Sequence, residues 1–319
     1  MKRNHALALA LGALLILAGL GLAVWRAHGR SGAGPARVPV AGGDAGGIAH
    51  AELASEHFDA APLAQAATAA AAEAGFQALI VMRHEHIVFE RYAHGTAADT
   101  VIDSGAFAEG VLGVLAGIAA RDDFLPRNAL NGFRAERLRS AIEMASRTPY
   151  AVYLGRKLWR PVNAAPAWIA LPQPGAPAPA DCCLHARVLD WMRIAGVLVG
   201  DGRFEGTTVA PAGWVARMAR PITADGHHGF GLELMGAAQG AEPLLLDDAF
   251  LLRGPGHWRL WMVPSAQLAV LFGAQPPGAT DAAAAWDETR IANLVFRALN
   301  DQPAPSGPSN LLQRLVPGH

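Results

Sequence analysis

The sequence predicts an α+β fold, and three observations carry that prediction. Strand-like apolar runs sit near both ends of the patterned region, helical periodicity fills the stretch between them, and no internal repeat is present. An antiparallel sheet built from both chain ends, with a helical lobe inserted between its halves, accommodates this order.

The elements follow in sequence. Residues 57–74 form an Ala-rich helix. Residues 78–82 and 87–92 are apolar runs joined by His84-Glu85-His86, the pattern of a β-hairpin. Helical spacing of Val111, Leu112, Val114, Leu115 and Ile118 predicts a helix over 106–120. Further helices are expected over 134–146, 150–159 and 184–199, and Pro211 opens a short one through Arg217. Strand-like runs return at 229–235, 248–252, 258–263 and 267–273. A last helix over 283–299 places Trp286, Ile291, Leu294, Val295 and Ala298 on one face.

Outside this region, residues 6–25 form an uninterrupted apolar run of 20. At 1.5 Å rise per residue that is about 30 Å, one hydrocarbon thickness. Lys2 and Arg3 precede it, Trp25 sits at its far edge, and Arg26, His28 and Arg30 follow where a cleavage site would need small residues. The expectation is an uncleaved single-pass anchor in a bacterial inner membrane, with residues 1–5 cytoplasmic and the main domain periplasmic. Residues 26–49 are expected to be a flexible Gly/Ala/Pro tether, 50–301 the folded domain, and the Pro-rich 302–319 a flexible tail.

Composition narrows the function. The chain has 319 residues, 52% of them hydrophobic and 17% charged, which excludes disorder throughout. A net charge of −1 argues against a nucleic-acid partner, since phosphate neutralisation needs a basic surface. Lys2 and Lys157 are the only lysines. Cys182 and Cys183 are the only cysteines. Adjacent residues seldom meet disulfide geometry, so free buried thiols are expected. His84 and His86 lack a supporting third ligand, and His227-His228 reads as a polar loop. No phosphate-cradling loop, dinucleotide fingerprint or metal-ligand cluster emerges, so no cofactor and no metal are expected.

Five stretches in order resemble one family. They are ALIVMRHEHIVFERY (78–92), TVIDSGAFAEGVLGVLAGIAARD (100–122), YLGRKLWRP (153–161), CLHARVLDWMRIAGVLVGDGRFEGTTVAPAGWV (183–215) and the strands of 229–273, including FLLRGPGHWRLWMVPSAQLAVL. Together they resemble the β-lactamase-related serine hydrolases, the group of class C β-lactamases, penicillin-binding-protein-like esterases and 6-aminohexanoate-dimer hydrolases. The resemblance implies a β-lactamase/transpeptidase-like fold with a shortened helical lobe.

It also locates the chemistry. The family starts a helix with Ser-x-x-Lys, nucleophile and proton partner on one helix face. Here those positions hold Ala106 and Glu109, and no Ser-x-x-Lys occurs anywhere in the chain. The family's tyrosine loop has only Phe133 as a stand-in, and its third motif corresponds to Arg253-Gly254-Pro255-Gly256-His257. The expected cleft is lined by Ser104, Ala106, Glu109, Arg253, Gly254, Gly256 and His257. The favoured reading is a binding or scaffolding module without catalytic residues, holding a peptide-like or cell-wall-derived ligand. The alternative is an active amidase or esterase with a rebuilt site, Ser104 its nucleophile and Glu109 or His257 its base.

Overall fold

The structure is a computed structural model that describes residues 36–126, 135–234, 240–275 and 287–301. Its centre is a six-stranded antiparallel sheet of order β3-β2-β12-β11-β10-β9. Strands β2 (Phe76–Arg83) and β3 (His86–Tyr92) come from one end of the domain. Strands β9 (Glu233–Leu234), β10 (Phe250–Arg253), β11 (Arg259–Val263) and β12 (Leu268–Ala274) come from the other. The halves join where β2 pairs with β12, Val81 opposite Val270 and Ile80 opposite Leu271.

The β2–β3 hairpin forms because His84 and Glu85 both take positive φ, 44° and 67°, which suits a two-residue turn between twisted strands. Both His84 and His86 lie close to the carboxylate of Glu56, with Nδ1–Oε distances of 2.6 and 3.6 Å.

Alternation along the strands feeds two apolar layers. Leu79, Val81, Val270, Phe272 and Trp261 face a layer closed by α1 (Ala60–Ala72) and by α7 (Glu288–Phe296) with its Ile291 and Val295. Ile80, Met82, Leu260, Met262 and Leu271 face the opposite layer, closed by α2 (Phe107–Arg121) and α5 (Val188–Val199). All these side chains are buried, each contributing roughly 1.5–3 kcal/mol by removal from water.

Helices α3 (Ala135–Ser146) and α4 (Tyr150–Leu154) stand beside α2, and a π-helical turn Gly155–Trp159 continues α4. The short hairpin β7 (Arg203–Phe204) with β8 (Thr207–Thr208) and helix α6 (Trp214–Met218) complete the lobe. The α6 helix starts three residues after Pro211, because Gly213 takes a positive φ of 72° immediately before it.

Three expectations need correction. The tether does not extend to residue 49. β1 (Arg37–Val40) pairs antiparallel with β5 (Ala167–Ala170) in a second, four-stranded sheet of order β1-β5-β6-β4, and Ile48 is buried. Satisfying the backbone in that sheet outweighs the local preference of a Gly- and Pro-rich segment for irregular structure. The apolar run 184–199 is not one helix either. Leu184–Arg187 form β6, paired to β4 (Val101–Asp103) and β5, and the helix begins at Val188. Finally, Cys182 and Cys183 are bonded as a vicinal disulfide, with Cys183 in the left-handed region at φ 68°. That backbone setting brings adjacent sulfurs together where an extended dipeptide would hold them apart.

The segment expected to cross a membrane, 6–25, lies outside the described residues, as do Phe133 and the tail 302–319. Among the described residues no helix is long and apolar enough to cross a membrane.

Candidate functional site

A cavity of about 340 Å³ opens where the N-terminal turn of α2 meets the edge strand β9 and its neighbour β10. Ala106, Glu109, His228, Glu233, Leu252 and Arg253 are among the residues that line it. Two glycines set the close approach. At Gly231, φ is 66° and an added Cβ would lie 2.4 Å from the Glu109 carbonyl oxygen, so the chain before β9 rests on the first turn of α2. At Gly105, φ is 46° and an added Cβ would lie 2.8 Å from Cδ of Pro255, so the pyrrolidine ring packs on the turn preceding Ala106.

Ala106 is the N-cap of α2 and is exposed. Glu109 follows in the first helical turn and is partly buried. Burial is the main cause of the raised pKa of its carboxyl group. The nearby Asp181 and Glu233 carboxylates add to the rise, and His228 opposes it. No hydrogen bond or ion pair engages the Glu109 side chain among the described residues.

Arg253 provides the site's guanidinium, and it is already engaged. Its Nε donates to Glu233 Oε2 at 2.7 Å, while Nη1 and Nη2 donate to the two oxygens of Glu288 at 2.5 and 2.7 Å. Arg259 Nε donates to Glu288 Oε2 at 2.7 Å from the other side. Lys157 is bound to Asp122 at 2.6 Å, beyond the C-terminal end of α2. At 1.5 Å per residue, that lies about 24 Å along the helix from Ala106. The described cleft therefore holds no ammonium and no hydroxyl at the start of α2.

The expected cleft residues separate into two groups. Ala106, Glu109 and Arg253 share the cavity lining. Ser104 does not: it is fully buried, its Oγ accepts the Leu184 N–H at 3.1 Å, and its own N–H donates to the Leu184 carbonyl at 2.9 Å. Those bonds tie the Ser104 hydroxyl to β6 of the second sheet. Gly254, Gly256 and His257 are not among the lining residues. An added Cβ at Gly254 would meet Trp258, and Gly256 turns the chain at φ 59°. Burial and then Arg259 lower the pKa of His257, and Glu288 opposes them. The constellation of Ser104, Glu109 and His257 is thus not assembled in the cavity.

Sequence reasoning missed His228, Glu233 and Glu288. They reach the site from β9, its preceding loop and α7, far from the motif positions. The only signal was the alternating run at 229–235 beside two histidines.

No protein-family model matches the sequence, and no curated protein sequence matches it. Solved structures do match in fold. A protein described as a 6-aminohexanoate-dimer hydrolase from Bacillus anthracis gives a TM-score of 0.61 at 11% identity, over 82% of this chain and 90% of that one. A family VIII carboxylesterase gives 0.58 at 14% identity, covering 76% of this chain and 99% of that one. A penicillin-binding protein homologue from Caulobacter crescentus gives 0.58 at 10% identity, over 75% and 97%. The chain has the fold of the β-lactamase-related, penicillin-binding-protein-like serine hydrolases.

Proposed function

We propose that this protein is a non-catalytic binding member of that fold group. In this reading the 20-residue run at 6–25 anchors it to a bacterial inner membrane, and its domain faces the periplasm. The cleft holds a peptide-like or cell-wall-derived ligand through an ammonium group. One observation carries the reading: the helix start that would present a nucleophile and its ammonium partner presents Ala106 and Glu109 in a cavity whose arginine is bound to carboxylates. Loss of a hydrolase's nucleophile costs on the order of a million-fold in kcat. A carboxylate-lined cavity with no unpaired arginine or lysine among its lining residues instead favours a cation.

The test uses purified full-length protein. A fluorophosphonate probe and activated esters are expected to leave it unlabelled. A short peptide ending in a lysine side chain should bind at least about tenfold more tightly than its Nε-acetylated form, the effect of one charge-assisted hydrogen bond. A covalent adduct on the wild-type chain, at any residue, would establish the rebuilt hydrolase and sink the proposal. Equal binding of the two peptides would remove the ammonium from it.

A further inference from the structure

The vicinal disulfide lies where it could touch the cleft's behaviour, and it contributes little to holding the fold together. A disulfide stabilises a fold chiefly by closing a loop in the unfolded chain, and adjacent cysteines close the shortest loop possible. The bond is therefore a poor staple. Both cysteines are partly exposed, so a thiolate can reach them. Cys183 is also held at φ 68°, a conformation that L side chains rarely adopt.

The pair's position links it to the cavity. Asp181, the preceding residue, is close enough to Glu109 to help raise its pKa. The Cys183 carbonyl accepts the Ala170 N–H at 2.8 Å, which holds the pair to the end of β5. The next residue, Leu184, exchanges two hydrogen bonds with Ser104, and the Ser104 carbonyl accepts the Phe107 N–H at 3.0 Å at the start of α2. The bonded cysteines thus connect the irregular segment 171–181 to the turn that carries Ala106 and Glu109.

We infer that Cys182–Cys183 is a thiol–disulfide exchange site joined through Leu184 and Ser104 to the turn that opens the cleft, and that its reaction partner is a dithiol reductant. A reductant thiolate attacks one cysteine sulfur, the Cys182–Cys183 bond breaks, and a mixed disulfide forms while the other cysteine leaves as thiolate. The reductant's second thiolate resolves the mixed disulfide. The protein gains two electrons and two protons, and the reductant becomes a disulfide. Opening the bond frees Cys183 to leave the left-handed region, and segment 171–181 then moves relative to Glu109.

The experiment treats the folded full-length protein with dithiothreitol, traps thiols with iodoacetamide, and reads intact mass, melting temperature and amide hydrogen exchange. The protein as purified should carry no free thiol. Dithiothreitol in native buffer should expose both cysteines, leave the melting temperature in place, and speed exchange across 171–184 and at Ser104 by at least about tenfold. A Cys182→Ser/Cys183→Ser double variant should show that faster exchange without reductant and no response to it. Reduction only in denaturant, or free thiols that oxidised glutathione cannot close, would overturn the inference. Unfolding on native reduction would also overturn it, by showing a structural staple. Because none of these readouts involves a cleft ligand, they fail or succeed independently of the proposed function.

Discussion

Glu109 and Glu288 show what a partly enclosed carboxylate does with and without partners. Glu288, on α7, is buried, and it accepts two hydrogen bonds from Arg253 and one from Arg259. Glu109 shares the cavity with Arg253 but receives none of its hydrogen bonds, and its pKa is raised by burial and by like charge. In the first place the charge is cancelled and becomes architecture, bridging α7 to β10 and β11. In the second it is left open to whatever enters. Both depend on Arg253, which cannot serve an incoming anion while Glu233 and Glu288 hold it.

The sharpest way to break this contrast is Glu288→Ala. It leaves two guanidinium groups without their buried acceptor, and a loss of about 3–5 kcal/mol in unfolding free energy is expected, read by urea denaturation with tryptophan fluorescence. A loss under about 1 kcal/mol would mean that the ion cluster is not structural.

Ser104→Ala is expected to cost about 1–3 kcal/mol, because the Leu184 amide loses its buried acceptor. Labelling by fluorophosphonate should be absent before and after the change. Labelling that disappears in the variant would instead make Ser104 a nucleophile.

The smallest stability effect belongs to Glu109→Gln, and its sign is opposite. A carboxyl whose pKa rises on folding loses stability as pH climbs from the unfolded value, about 4.3, through the folded one. The glutamine variant should therefore match wild type at low pH and equal or slightly exceed it at neutral pH. Paired urea titrations at the two pH values check this. The same variant should lose the preference for an ammonium-bearing peptide.

Much of this architecture was legible in the sequence. Continuous apolar runs at 78–82 and 267–273 mark strands buried on both faces, and the polar His84-Glu85-His86 marks the hairpin turn. Ala106, Glu109 and Arg253 could be aligned to one cleft because each sits in a stretch with a recognisable order. Other features were hidden for physical reasons. β1 looks like linker because Gly and Pro surround it, and only its pairing with β5 makes it a strand. Strand β6 hides in a continuous apolar run, where periodicity cannot separate four extended residues from a helix. The Cys182–Cys183 bond depends on a left-handed residue that composition does not announce. Glu233 and Glu288 are contributed across the tertiary fold, so no local pattern connects them to Glu109.

The junction of β2 with β12 also bears on how the molecule comes into being. Met82 must wait for Ala269, and Arg83 hydrogen-bonds the Ala266 carbonyl and Asp301 as well. The N-terminal hairpin is made with one apolar edge unzipped, and nearly two hundred further residues separate it from the strand that covers that edge. Closure across such a separation is slow, and an uncovered strand edge invites wrong neighbours in the interval. Residues 76–83 therefore keep an open edge, in whichever compartment the domain folds, until residues 268–274 are present to pair with them.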